Sequence, residues 1–541
     1  MPDDQPNLQQ LTRYALEGRV VTVDSSFHEF ERGTVYVDGG RIAAIAPTGA
    51  PPPPGFQEAP VISTRGTIYP GLIDLHNHLS YDALTLWRVP RLYTNRDQWG
   101  GHPDYRKLIS GPMSVLGKTP GFVEAVVRYV ECKCLLGGVT TAQGVALFSN
   151  QGIQRYFRGV VRNVEETGED DLPDAATKIS DVEAGDAEKF LERLRDSSCL
   201  LLHLSEGTDE RARERFEALR MADGDWAITP ALAGIHCAAL GPEDFGVLGE
   251  HGGAMVWSPL SNLLLYGQTA DVGAAREAGV PIALGSDWSP SGSKNLLGEL
   301  KVARLVAAEQ NIGFSDRELV AMATREAAKV LKWDGALGSL EAGKRADLTI
   351  LYGRSKEPYA NLLEARETDI ALVVIDGVPR VGNERLMSSF GPVTERWRVG
   401  SAGRALNLSQ ENADPVVGAL TLREARARLR DGLSRLPELA RQLEELTPAA
   451  LADAGPEWSL VLDHEEPPGT AIRPHFSADP AVESTALRLT EIMAISVRLS
   501  ELLIPLQLDP PTVSDDSAFF GRLADESNLP DYVSDGLPAL F

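Results

Sequence analysis

The chain has 541 residues, more than one average domain, so two or three structural units are expected. Its 43 % hydrophobic content suffices for a sizeable core, while a formal net charge of -25 makes nucleic acid and anionic membrane surfaces poor partners. Four cysteines without a C-x-x-C pair argue against a disulfide framework, and the lack of a basic, apolar leader or an eighteen-residue apolar run points to a soluble, cytoplasmic protein.

Residues up to about 65 read as short β segments such as GRVVTVDSS, GTVYVDGGRIAAIAP and PVISTRGTIYPG. Asp38-Gly39-Gly40 between two apolar runs is a hairpin signal. The same texture returns in GSLEAGKRADLTILYG and ALVVIDGVPRVGN, so 1–65 and 336–400 are expected to build one small β-sandwich from both flanks. Between them, 66–335, short apolar runs ending in polar residues alternate with helical stretches, the pattern of a (β/α)8 barrel in an α/β chain. The tail, 401–541, is acidic and expected to be a helical extension. Leu422, Ala425, Leu429, Leu433 and Leu436 fall at helical spacing, and residues 485–506 read as a second amphipathic helix.

Of nine histidines, three end apolar runs, in GLIDLHNH, LLLHLSE and AGIHC, and an aspartate does so in PIALGSD. Barrel strands open their C-terminal ends onto one mouth, so these distant residues should converge. In a strand, i and i+2 share a face, so His76 and His78 aim two imidazoles at one point. Neutral imidazole is a good ligand for zinc and similar ions.

The string YPGLIDLHNHL resembles the first metal motif of the amidohydrolase superfamily. HLSE with His203 and Glu206, GIHC with His236, SPLSN with Ser261 and Asn262, and GSD with Asp287 resemble later motifs of its cytosine deaminase-like and chlorohydrolase branch, in the same order. The resemblance spans roughly residues 15 to 385. It implies one divalent metal, zinc or iron, held by His76, His78, His203 and Asp287. Residues 144–170, where another branch carries a metal-bridging carboxylated lysine, contain no lysine, which favours one metal over two. A metal-bound hydroxide would attack an sp2 carbon bonded to nitrogen, with Asp287 as base, Glu206 as proton donor and His236 stabilising the oxyanion.

Deamination of an aminated N-heterocycle is the leading reading. Hydrolysis of an amide, a lactam or imide, or a ring C–Cl bond uses the same hydroxide and stays open. A non-catalytic binding protein on the same barrel also stays open, and metal content separates it. The aromatic and basic segment after the first motif offers Tyr81, Trp87, Arg91, Tyr93, Arg96 and Trp99 as stacking faces and an anion clamp for a small-molecule substrate, with Trp288 beside the site. Residues Ser291 to Asn295 read as a flexible loop that covers it. Members of the family often assemble into oligomers, which makes a homo-oligomer an expectation here.

Overall fold

A computed structural model describes residues 12–178, 186–445, 457–462 and 498–541. The two flanks meet in one nine-stranded sheet. Arg13–Val21 pairs antiparallel with Glu29–Asp38, which pairs with Arg41–Pro47. The turn between the last two is Gly39-Gly40, with φ of 52° and 92°. Two consecutive positive φ values are what a tight hairpin turn needs and what a side chain resists. The junction between flanks is Val61–Pro70, parallel to the first strand and antiparallel to Leu348–Leu351. Ile370–Ile375, Val378–Gly382, Ala402–Leu406 and Glu395–Val399 complete the sheet, so it runs past residue 400.

Among the described residues the middle region supplies eight strands that pair in parallel within two sheets: β1 (Leu72–Asp74), β2 (Val139–Ala142), β3 (Arg162–Asn163), β4 (Ala175–Lys178), β5 (Cys199–Leu204), β6 (Leu232–His236), β7 (Ala254–Trp257) and β8 (Ile282–Leu284). β1 to β3 form one sheet and β4 to β8 another. Backbone hydrogen bonds cross both seams. Ala175 N donates to Val164 O just beyond β3, and Leu75 N, just beyond β1, donates to Leu284 O of β8. The second seam continues as Asp287 N to His76 O and His78 N to Asp287 O. Helices alternate with the strands, among them α1 (Val123–Leu136), α2 (Pro259–Tyr266) and α3 (Leu296–Glu309). β5, β6 and β7 are buried along their whole length and apolar up to the histidines at the C-terminal ends of the first two, as strands covered on both faces must be.

The tail opens with α4 (Leu422–Ser434), started by a Thr421–Glu424 capping box. Its apolar face, including Leu422, Ala425, Leu429 and Leu433, is fully buried, and Leu436 is buried in α5 (Leu436–Glu445). The sequence reads this stretch as continuous, but the helix breaks at Arg435, two residues before Pro437. Proline's ring disfavours helical geometry in the residue before it and lacks the N–H that a continuing helix would use. A three-stranded sheet joins the tail strand Trp458–Leu460 to Ala146–Ser149 and Gln154–Tyr156. Of the expected second helix, residues 485–497 lie outside the described residues, and Leu499–Leu502 form a single turn.

Candidate metal centre

The strand ends converge as their spacing implies. Ring centroids lie 4.8 Å apart for His76 and His78, 4.7 Å for His76 and His203, and 5.1 Å for His76 and His236. His203 Nε2 is 3.2 Å from His78 Nε2. Asp287 Oδ1 is 3.5 Å from His76 Nε2 and 3.6 Å from His78 Nε2. The carboxylate separations exceed hydrogen-bond length, yet all three suit one ion, since donors at about 2.0–2.2 Å in a tetrahedron are roughly 3.4 Å apart.

The local backbone is strained where it aims these groups. Asp287 has φ of 59° and His236 of 68°, a region that costs non-glycine residues energy and marks functional sites. Gly285 lets β8 pass the first motif, because a Cβ there would sit 2.4 Å from His76 Cβ. Buried Asp74 ties the same seam, accepting from Ser286 N at 2.9 Å and Ser286 Oγ at 2.5 Å.

Partners of the outer ring nitrogens distinguish the histidines. His76 Nδ1 lies 2.9 Å from Gln143 Oε1, and Gln143 Nε2 donates to Thr177 Oγ1 at 3.1 Å. Thr177 Oγ1 in turn donates to Glu165 Oε1 at 2.9 Å. That relay makes Nδ1 the donor and leaves the Nε2 lone pair of His76 facing the centre. His76 Nε2 is buried without a hydrogen-bond partner among the described residues, a costly state that an ion would relieve. His236 is the reverse. Trp257 donates to Thr269, Thr269 to Asn262 Oδ1, and the Asn262 amide then faces His236 Nδ1 at 3.0 Å. An amide donor there puts the proton of neutral His236 on Nε2, so the ring offers a hydrogen bond rather than a lone pair. His236 Nε2 stands 3.8 Å from Glu206 Oε2.

Glu206 accepts from Tyr266 Oη at 2.7 Å, and Trp99 donates to the same oxygen of Tyr266 at 2.8 Å. Arg96 Nε is 3.6 Å from Glu206 Oε2. Burial, with the Arg96 cation and neighbouring imidazoles, holds His203 well below its ordinary value. Burial likewise pulls His236 down to about 4, against the opposing carboxylates of Glu206 and Asp287. Burial alone would raise Asp287, but the surrounding imidazoles outweigh it and hold the carboxyl well below the usual range. His203 and His236 are thus held neutral and Asp287 ionised, the protonation state a divalent cation requires of such groups.

Tyr81, Trp99 and Trp288 line the cavity over this cluster, with Arg96 and Leu265. Only about 10 Å³ is open to the centres of water molecules, room for about one. Trp87 and Arg91 are not brought there. The Trp87 ring packs against Tyr93 and Tyr105, and Arg91 is exposed over the outer face of Tyr93. Ser291, Ser293, Lys294 and Asn295 do not form a flexible cover, because all four are buried. Sequence reasoning assigned no part to Gln143, although it ends an apolar run in GGVTTAQGV, or to Tyr266, which hides in the apolar helix PLSNLLLY.

Behind the floor, Glu299 on α3 is fully buried, accepts from Leu260 N at 2.9 Å, and has its carboxyl pushed up by burial to about 8. A raised carboxyl contributes its full stability below the unfolded value of 4.5 and loses it as pH rises toward 8. Glu299→Gln is expected to be the more stable protein at pH 8, by a few kcal/mol, with the gap closing by pH 4.5. Denaturant titrations of both proteins at several pH values check this, and parallel pH curves would refute it.

The donor set is one that could hold a divalent metal ion. Residues 201–379 match the amidohydrolase family. Among its relatives is a 5-methylthioadenosine/S-adenosylhomocysteine deaminase of Syntrophobacter fumaroxidans, 26 % identical over 71 % of this chain and 96 % of the relative. A 5'-deoxyadenosine deaminase of Methanosarcina mazei is 24 % identical over 68 % and 92 %. The solved structure of zinc-complexed atrazine chlorohydrolase from Arthrobacter aurescens TC1 superposes with a TM-score of 0.53, at 20 % identity, over 70 % of this chain and 99 % of that one. That likeness is one of fold. No helix among the described residues is long and apolar enough to cross a membrane.

Proposed function

We propose that this protein hydrolytically deaminates an aminated N-heterocycle of small-molecule size, with one zinc ion per chain held by His76, His78, His203 and Asp287. The observation that carries the reading is the division of protonation in the cluster: a His76 lone pair turned inward, a His236 N–H turned inward, and a carboxylate, Glu206, beside them but outside the donor set. The deaminase relatives support the choice of reaction. The eight parallel strands, bonded across both seams, are read as a closed (β/α)8 barrel, 66–335, with the flanking sheet and the tail as separate units.

A bound divalent ion would supply Lewis acidity and bring the pKa of a water toward neutrality. Asp287, held ionised, takes the proton of the attacking water. Glu206 takes the other proton of that water and delivers it to the ring nitrogen, with Tyr266 keeping its carboxylate oriented, and the proton held by Asp287 passes to the departing amine. His236 donates from Nε2 to the oxygen as negative charge builds. The balance is one water consumed and one ammonia released, with C–N replaced by C=O.

Elemental analysis of purified protein, paired with ammonia release from adenosine-type nucleosides, aminopyrimidines and aminotriazines, tests the proposal. About one zinc per chain with ammonia release is expected. Metal without ammonia from any of these would overturn deamination and turn the search to amides, lactams and halogenated rings. No metal, even after reconstitution, would overturn the donor set.

A further inference from the structure

The C-terminal segment returns to the pocket from the far end of the chain. Asp509 is fully buried and accepts from two lysines, Lys133 Nζ at 2.8 Å and Lys294 Nζ at 2.6 Å. Its backbone N donates to Ala83 O at 3.0 Å, and its carbonyl accepts from Tyr129 Oη. Both lysines are themselves buried, on different sides of the site: Lys133 on α1, and Lys294 in the loop that follows β8.

Each link ends on a segment that walls the cavity. Lys133 also donates to Ser289 Oγ and Asp82 O, both at 2.7 Å, and Ser289 N donates to Asp82 Oδ1 at 2.7 Å. Ser289 directly follows Trp288, a wall residue. Lys294 ends the same loop and is held again by Asp516, at 2.8 Å. Trp87 N closes the ring onto Pro290 O at 2.7 Å. Farther along the tail, Glu526 Oε2 accepts from Val89 N at 3.3 Å, and Asn528 reaches Leu264 O at 3.2 Å, next to Leu265 of the wall.

We propose that the C-terminal segment is a fixed strap and that Asp509 is a positioning residue, holding the Trp288 wall against the first βα loop through Lys133 and Lys294. The inference rests on the hydrolase reading for its functional consequence, though not for its structural one. A carboxylate shared by two buried ammonium groups is not readily replaced, because its loss leaves charge uncompensated away from water. The strain is then expected to appear where the lysines are anchored, in the loops at 79–95 and 285–295. Trp288 forms part of the cavity wall, so a small displacement of it changes what fits beneath.

The test is hydrogen–deuterium exchange on the full-length protein, comparing wild type with Asp509→Asn and, separately, Lys294→Met. Exchange in peptides covering 79–95 and 285–295 should accelerate about tenfold or more, while the strands Leu348–Leu351 and Ile370–Ile375 keep wild-type protection. In holoprotein whose metal content is unchanged, kcat should fall about tenfold or more, and the double variant should lose less than the sum of the two. If Asp509→Asn does not fold, Lys294→Met alone should give the same local pattern. Wild-type exchange in both loops of a folded variant, or acceleration spread equally over the flanking sheet, would overturn the strap. A wild type without metal or turnover would strike the hydrolase reading instead, with the exchange data still deciding the strap.

Discussion

Asp287→Ala is expected to leave the protein folded, nearly free of metal and without measurable turnover. The carboxylate is the one acidic group in a donor set otherwise made of imidazole rings, and its Oδ1 stands 3.5 and 3.6 Å from two of their Nε2 atoms. Removing it takes away both the attraction for a divalent cation and the proton acceptor, so two losses compound. Loss of a positioned base alone is worth about 10²–10⁴ in rate, and loss of the ion adds to that. His76→Ala should behave alike for a different reason, since it removes the ring whose inward lone pair the Gln143 relay sets. Elemental analysis and turnover on the same preparations are the check. A variant that keeps about one metal per chain and wild-type kcat would refute the proposed centre.

Much of this site was legible because strands impose a simple rule. A buried strand is apolar until its end, so a polar residue closing an apolar run is conspicuous, and His76, His203, His236 and Asp287 all stand that way in the sequence. The period of two then fixed the shared face of His76 and His78. Residues that act through a partner's side chain had no such signal. Tyr266 sits among apolar residues on α2, and only its hydroxyl, 2.7 Å from Glu206, shows its part. The Gln143–Thr177–Glu165 relay joins three strand ends that periodicity cannot pair. The aromatic loop after the first motif was half misread because loops have no period to say which rings turn inward. Tyr81 and Trp99 do, while Trp87 does not.

The same limit explains the loop at 291–295. Serine, glycine, lysine and asparagine look like a mobile cover, and in isolation they would be one. Lys294 is buried against Asp509, 215 residues beyond it, in a tail whose composition suggests only a helical appendage, and Asn295 donates to Glu367. Local sequence reports local preference. A buried ion pair between distant segments is a tertiary fact, visible once both lysines and their carboxylate are seen together.

Glu206→Gln is the sharper test of mechanism, because it should separate metal from chemistry. Glu206 lies outside both groups of residues close enough to share an ion, so metal content should stay near that of the wild type. Turnover should fall by about 10²–10⁴, the usual worth of a positioned proton carrier. Glutamine keeps the volume and an oxygen for the Tyr266 hydroxyl, so the pocket need not collapse as it would around alanine. Nor should the change charge the neighbouring ring: the Glu206 carboxylate raises the His236 pKa against burial, and without it His236 is held neutral still more firmly. The loss would therefore report proton delivery by Glu206 itself. Side-by-side metal analysis and pH–rate profiles read the outcome. An unchanged rate removes Glu206 from the proton path, whereas loss of metal would make it a ligand and require a different donor set.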